Sequence, residues 1–155
     1  MKQAPGDPTK LGFIGLGVMG GPMCRNLARG ADFRVSVHDI NADIQAAHVG
    51  GNVTAADGIA SVARECETIF LSLPGEAEVR GACLGPLGLL DTARPGHTIV
   101  DCSTIPVSLG KEIATAFAAK GVAYADAPVA GTALSVVDRN ISILVGAEEA
   151  VFAQV

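Results

Sequence analysis

Three glycines, Gly15, Gly17 and Gly20, join an apolar run at Leu11 to Leu16 to a stretch of helical spacing at Met19 to Arg29. A strand that must pass into a helix over so few residues needs glycine at the turn, which commits the chain to a strand–helix–strand unit. Among 19 glycines the G-x-G-x-x-G spacing alone would carry little. Its surroundings carry more. A second strand, Phe33 to His38, alternates Phe33, Val35 and Val37 on one face and ends at Asp39, nineteen residues after Gly20. In such a unit Gly15 permits the tight turn, Gly17 lets the backbone approach a pyrophosphate, and Gly20 allows close helix–strand packing. Leu16, Val18 and Met19 complete the loop, whose helix end offers unpaired amides and partial positive charge to phosphates. The Asp39 carboxylate is placed to accept from an adenosine ribose; the alternative is a turn residue leading into Asn41. A carboxylate there repels a 2′-phosphate, and Ile40 to Gly50 holds no Arg or Lys to attract one. The expected cofactor is therefore NAD rather than NADP.

The same alternation runs on through the chain. Strands are expected at Asn52 to Thr54, Thr68 to Leu73, His97 to Asp101, Val122 to Ala125 and Ile141 to Val145. Helices are expected at Ala42 to Val49, at Asp57 to Cys66 with a carboxylate cap, at Ala77 to Leu84, and from Pro106 to about Lys120. A last helix begins near Glu148 with no stop signal before Val155, so we expect a domain cut from a longer protein. Residues 1–10 read as a flexible lead-in and 11–155 as one domain. Strand and helix in alternation give an α/β class, a doubly wound and mostly parallel sheet of the Rossmann dinucleotide-binding type.

Composition removes other classes. A formal net charge of -5 lacks the basic face that nucleic acid requires, and an aromatic content of 4% offers no base-stacking platform. The mean hydropathy is +0.40, yet no apolar stretch is long enough to span a membrane. Cys24, Cys66, Cys83 and Cys102 show no zinc or redox spacing, so no metal is expected and buried thiols in a reducing cytoplasm are.

Four segments in order resemble one family. Gly12 to Met23 looks like the opening of the β-hydroxyacid dehydrogenases, of the 3-hydroxyisobutyrate dehydrogenase type. Leu71-Ser72-Leu73-Pro74 is similar to that family's strand-end Leu-Pro, Asp101-Cys102-Ser103-Thr104-Ile105 to its D-x-S-T-I, and Asp126 to Gly131 to its D-A-P-V-S-G-G. The D-A-P-V wording points away from 6-phosphogluconate dehydrogenase, a related branch. The resemblance implies hydride transfer between a nicotinamide and a small hydroxy acid or its semialdehyde. It places Leu73, Pro74 and Thr104 against the cofactor, and Ser103, Ala130, Gly131 and Thr132 against the substrate. It further implies a helical second domain after residue 155, a catalytic Lys on that domain, and a homo-oligomer in the full-length protein.

Departures from the family pattern bear on the substrate. Its Ser-Gly-Gly stands here as Ala130-Gly131-Thr132, its Gly-Thr-Leu as Arg139-Asn140-Ile141, and a position often Asn is Glu78. None of His38, His48 and His97 has an evident partner for catalysis, and no residue of this chain is assigned a catalytic role. Two other readings stay open: a non-catalytic dinucleotide-binding module, and a reductase of imines or semialdehydes with a similar first domain.

Overall fold

Side chains along a strand point alternately to opposite faces, so a sheet made of near-continuous apolar runs must be covered on both sides. A computed structural model, describing residues 8–30 and 32–153, shows that arrangement. Six parallel strands, β1 (Thr9–Ile14), β2 (Phe33–His38), β3 (Val53–Ala55), β4 (Thr68–Leu71), β5 (Thr98–Asp101) and β6 (Ala123–Asp126), lie in the order β3-β2-β1-β4-β5-β6. The strand order reverses between β1 and β4, which are paired directly, with Ile14 opposite Leu71. That switch point opens a crevice at the carboxyl edge.

Each face has its own core. On one side Ile69, Leu71 and Ile99 of the sheet meet α3 (Ile59–Glu65), α4 (Glu76–Leu84) and α6 (Val107–Ala118) through Val62, Val79, Ile113 and Phe117. On the other, Phe13, Val35, Val37 and Val100 meet α1 (Gly20–Leu27) through Met23 and Cys24. Phe13 and Phe117 are fully buried, each contributing roughly 1.5–3 kcal/mol relative to exposure. Short helices α2 (Ala42–Ala46) and α5 (Leu89–Thr92) fill the connections. Asn41 caps α2 by accepting from the amides of Asp43 at 3.0 Å and Ile44 at 3.2 Å.

Several expectations are corrected. The strand expected over Ile141 to Val145 is a two-residue β8 (Ser142–Ile143), outside the parallel sheet and antiparallel to β7 (Val129–Ala130). Alternation was present there, but Arg139 and Asn140 follow α7 (Ala133–Val137), and the chain returns beside β7 instead of crossing over. Helix α3 starts at Ile59 after Gly58, with no side-chain cap from Asp57. Thr9 and Lys10, assigned to the lead-in, pair with Phe33 and Arg34 in β1; residues 1–7 of that lead-in lie outside the described residues. Helices α5 and α7 are too short for periodicity to reveal, and each is anchored by one fully buried side chain, Leu89 and Val136. The final helix is present as α8 (Glu149–Phe152).

Helix α3 packs so closely on β1 that a Cβ at Gly12 would lie 2.4 Å from Val62 Cγ1. Gly12→Ala is expected to lower unfolding free energy by about 1–3 kcal/mol, read from the urea transition.

Candidate functional site

The crevice is walled by the loop after β1 and the loop after β4. Gly15 stands at φ +90, a region that side chains rarely adopt, and a Cβ there would lie 2.3 Å from the Ser72 carbonyl oxygen. A Cβ at Gly20 would lie 2.0 Å from the Gly15 carbonyl oxygen. Both glycines are therefore fixed by the fold itself. Gly17 differs: it is exposed, and a Cβ there would meet no heavy atom within 4 Å. Among the described residues the amides of Gly17, Val18 and Met19 donate to no protein acceptor. Free amides and vacant space at the end of α1 suit the approach of a phosphate, so these residues fit a dinucleotide.

Asp39 closes the neighbouring end of β2. Its Oδ2 accepts from the Leu16 amide at 2.7 Å and its Oδ1 from the Asn41 amide at 2.8 Å. The Asp39 amide in turn donates to Gln45 Oε1 at 2.9 Å. A carboxylate has about four lone-pair positions, so one on each oxygen remains for a ribose hydroxyl. The grip on Leu16 links the acidic residue to the glycine loop, a coupling that motif spacing does not reveal.

Across the switch point the β5 loop braces the β4 loop. Ser103 Oγ accepts from the Leu73 amide at 2.9 Å, and the Ser103 amide donates to Asp101 Oδ1 at 2.9 Å. Tyr124 donates its hydroxyl to Asp101 Oδ2 at 3.2 Å. Asp101 is completely buried, and that burial pushes its carboxyl above the usual range, against the opposing pull of its Ser103 and Tyr124 hydrogen bonds. Burial, then the Asp101 charge, likewise raise the Tyr124 phenol and the Asp126 carboxyl. Ser103 was expected to face substrate. It is only 3% exposed, and its hydroxyl oxygen accepts the Leu73 amide. Thr104 and Pro74 are exposed at the rim, and Leu73 is half-buried.

The segment resembling a substrate loop leaves β6 at Asp126. Gly131 stands at φ +151, and a Cβ there would press on Ile141 Cγ2 at 2.9 Å. Ala130 is exposed, and the Thr132 hydroxyl caps α7 by accepting from the Ser135 amide at 3.2 Å. The remaining ionisable groups lie elsewhere. Lys111 is exposed, and Lys120 donates to the Leu90 carbonyl. His48 donates from Nδ1 to the Ile44 carbonyl at 2.8 Å, leaving Nε2 to accept from Arg25 at 2.6 Å. His97 is buried, and that burial, helped by Arg94, holds its imidazole below the usual range. All four cysteines are buried free thiols. Burial pushes Cys24 and Cys66 up to about 11 and Cys102 up to about 12, so none is a ready nucleophile at neutral pH.

Residues 10–155 match the family model described as the NAD binding domain of 6-phosphogluconate dehydrogenase. The chain belongs to that family. Within this 6-phosphogluconate and β-hydroxyacid dehydrogenase family, it is 38% identical over 146 residues to 2-(hydroxymethyl)glutarate dehydrogenase of Eubacterium barkeri, covering 94% of this chain and 48% of that protein. It is 34% identical over 146 residues to 3-hydroxyisobutyrate dehydrogenase of Pseudomonas aeruginosa, covering 94% and 49%. The solved structure of Psf3 in complex with NADP+ and 2-OPP superimposes with a TM-score of 0.88 at 28% identity, over 93% of this chain and 51% of that one. The chain thus spans about half the length of the relatives it matches. It is the nicotinamide-dinucleotide-binding domain of a family of dehydrogenases, and the resemblance drawn from the four motifs holds.

Gly17→Ala should leave the urea transition within about 0.5 kcal/mol of the parent, because nothing in the protein stands in the way. The same methyl intrudes on a bound pyrophosphate, so calorimetric titration should show dinucleotide affinity falling by about tenfold, or ~1.4 kcal/mol.

Proposed function

We propose that this domain binds NAD(H) and presents it to a short hydroxy acid, or the corresponding semialdehyde, in a longer dehydrogenase. The observation that carries the reading is the loop at the switch point: free amides and open space at Gly17, with the Asp39 carboxylate alongside. When bound, the nicotinamide supplies hydride chemistry; the protein supplies binding and orientation. Gly15 to Gly20 hold the pyrophosphate and Asp39 the ribose, while Leu73, Pro74 and Thr104 line the cofactor from the opposite wall. Ala130, Gly131 and Thr132 border the substrate, a role supported by their exposure near the carboxyl edge and by the hydroxy-acid names of the relatives. With Ala130 lacking a hydroxyl, substrate contacts there fall to backbone groups and Thr132.

The preference for NAD rests on charge. Asp39 already holds two amides in a fixed geometry, and a 2′-phosphate would bring negative charge against it. The reducing cytoplasm is the proposed location, supported by four unpaired thiols. A homo-oligomeric whole protein is supported by exposed Leu134, Ile143, Leu144 and Phe152, apolar surface near the end of the domain.

Calorimetric titration tests the cofactor assignment. NADH should bind more tightly than NADPH, and Asp39→Ala should narrow the difference by removing the repelling charge. NADPH binding as tightly as NADH to the parent overturns it.

Turnover is a separate matter. Alcohol oxidation needs a group to accept the hydroxyl proton within hydrogen-bond reach. The lysines are Lys2, Lys10, Lys111 and Lys120; Lys10 lies in β1 and the last two on or after α6, and Lys2 is outside the described residues. Asp101 is sealed from solvent. A general base is worth about 10²–10⁴ in rate. The 155-residue chain with NAD and 3-hydroxyisobutyrate should therefore form NADH at least a hundredfold below ~10 s⁻¹, measured by absorbance.

A further inference from the structure

Asp101 is sealed from solvent, yet through Ser103 it is bonded to the crevice wall. The residue stands opposite Leu71 and Asp126 in the register of β4, β5 and β6, at the last position of β5. Oδ1 takes the Ser103 amide at 2.9 Å, which folds the chain back on itself directly after the strand. That amide bond sets Ser103 directly behind the Leu73 backbone. The Ser103 hydroxyl oxygen accepts from the Leu73 amide at 2.9 Å. Leu73 in turn presses on the glycine turn: its Cδ2 would lie 2.8 Å from a Cβ at Gly15. Tyr124, itself packed 6.0 Å from the Phe117 ring, holds Oδ2 from behind and keeps the carboxylate from rotating.

We propose that Asp101 is the positioning residue of the crevice: acting through Ser103, it fixes the Leu73 amide and so sets the turn at 72–75 against the glycine loop. With its amide held by Asp101, Ser103 keeps its hydroxyl oxygen in place as the acceptor of the Leu73 amide. The arrangement makes the loops after β4 and β5 one wall, with Pro74 and Thr104 exposed on it. Burying a carboxylate is costly unless its lone pairs are filled, and here one of the filling donors, the Ser103 amide, belongs to the wall. The inference rests on the cofactor reading above only for its consequence, the binding of NADH; the brace itself stands on the distances given.

The experiment compares the parent with Asp101→Ala, Asp101→Asn and Ser103→Ala. Hydrogen exchange at the Leu73 amide reads the brace by NMR, with the Val37 amide of β2 as an internal control. Calorimetric titration with NADH reads its consequence, and a urea transition shows that each variant folds. Asp101→Ala and Ser103→Ala should accelerate Leu73 exchange at least fivefold, leave Val37 unchanged, and weaken NADH binding by roughly 2- to 10-fold, as expected for loss of one oriented hydrogen bond. Asp101→Asn keeps an acceptor for Ser103 and should restore both readings, which a general loss of packing would not do. If Asp101→Ala fails to fold, Ser103→Ala and Asp101→Asn decide the matter. Unchanged Leu73 exchange in Ser103→Ala overturns the proposal, as does faster exchange with NADH affinity unaltered, or failure of Asp101→Asn to restore. A parent that binds neither NADH nor NADPH overturns the cofactor reading instead, and the exchange result alone then decides whether Asp101 holds the wall.

Discussion

Everything at the carboxyl edge depends on how closely backbone meets backbone between β1, α1 and β4. At Gly15 and Gly20 the carbonyl oxygens of Ser72 and Gly15 occupy the places where side chains would stand, at 2.3 and 2.0 Å from an added Cβ. No rotamer change relieves a clash with backbone, so the approach exists only with glycine at both positions. From it follow the angle at which α1 leaves the sheet, the direction of its free amides, and the narrowness of the crevice. The middle glycine of the motif obeys another rule: nothing in the protein crowds Gly17. Two glycines serve the fold, and the other leaves room.

Acidic groups divide between two environments along the same edge. Asp39, at the end of β2, keeps contact with solvent and spends its oxygens on amides of loops. Asp101, two strands away from β1 on the other side, is sealed, as are the phenol and thiols around it. Burial raises the Cys83, Cys102 and Tyr124 groups, and the charge of Asp101 raises them further. They titrate beyond the physiological range and remain neutral. Along this edge Asp39 is therefore only half-buried, while Asp101 and its neighbouring thiols are kept out of reach.

The sheet was legible because long, strongly patterned elements announce themselves. Phe33 to His38 runs over the residues its alternation indicates, and the G-x-G-x-x-G loop lies between β1 and α1. Short elements escaped for a physical reason. One turn at Leu89–Thr92 or five residues at Ala133–Val137 contain too little period to detect, and tertiary burial of a single side chain stabilises each. The apolar residues from Ile141 onward read as another strand of the main sheet, since pattern records which residues prefer a pleated surface and not which neighbour they find. At the site, residue types were readable and partners were not. The Ser after β5 is readable as a hydroxyl at the edge, but its bond to the Leu73 amide is not. Such bonds join residues about thirty positions apart, and no spacing rule reaches that far.

The bond from the Leu16 amide to Asp39 has one more consequence. It is made by the protein alone, so the glycine loop is already drawn toward the end of β2 before any partner arrives. A loop left free would surrender its conformational entropy on binding, and that loss would be subtracted from the affinity. Here the loss is taken during folding. On the proposed reading, Asp39 would serve every dinucleotide alike in this respect, whatever its ribose carries.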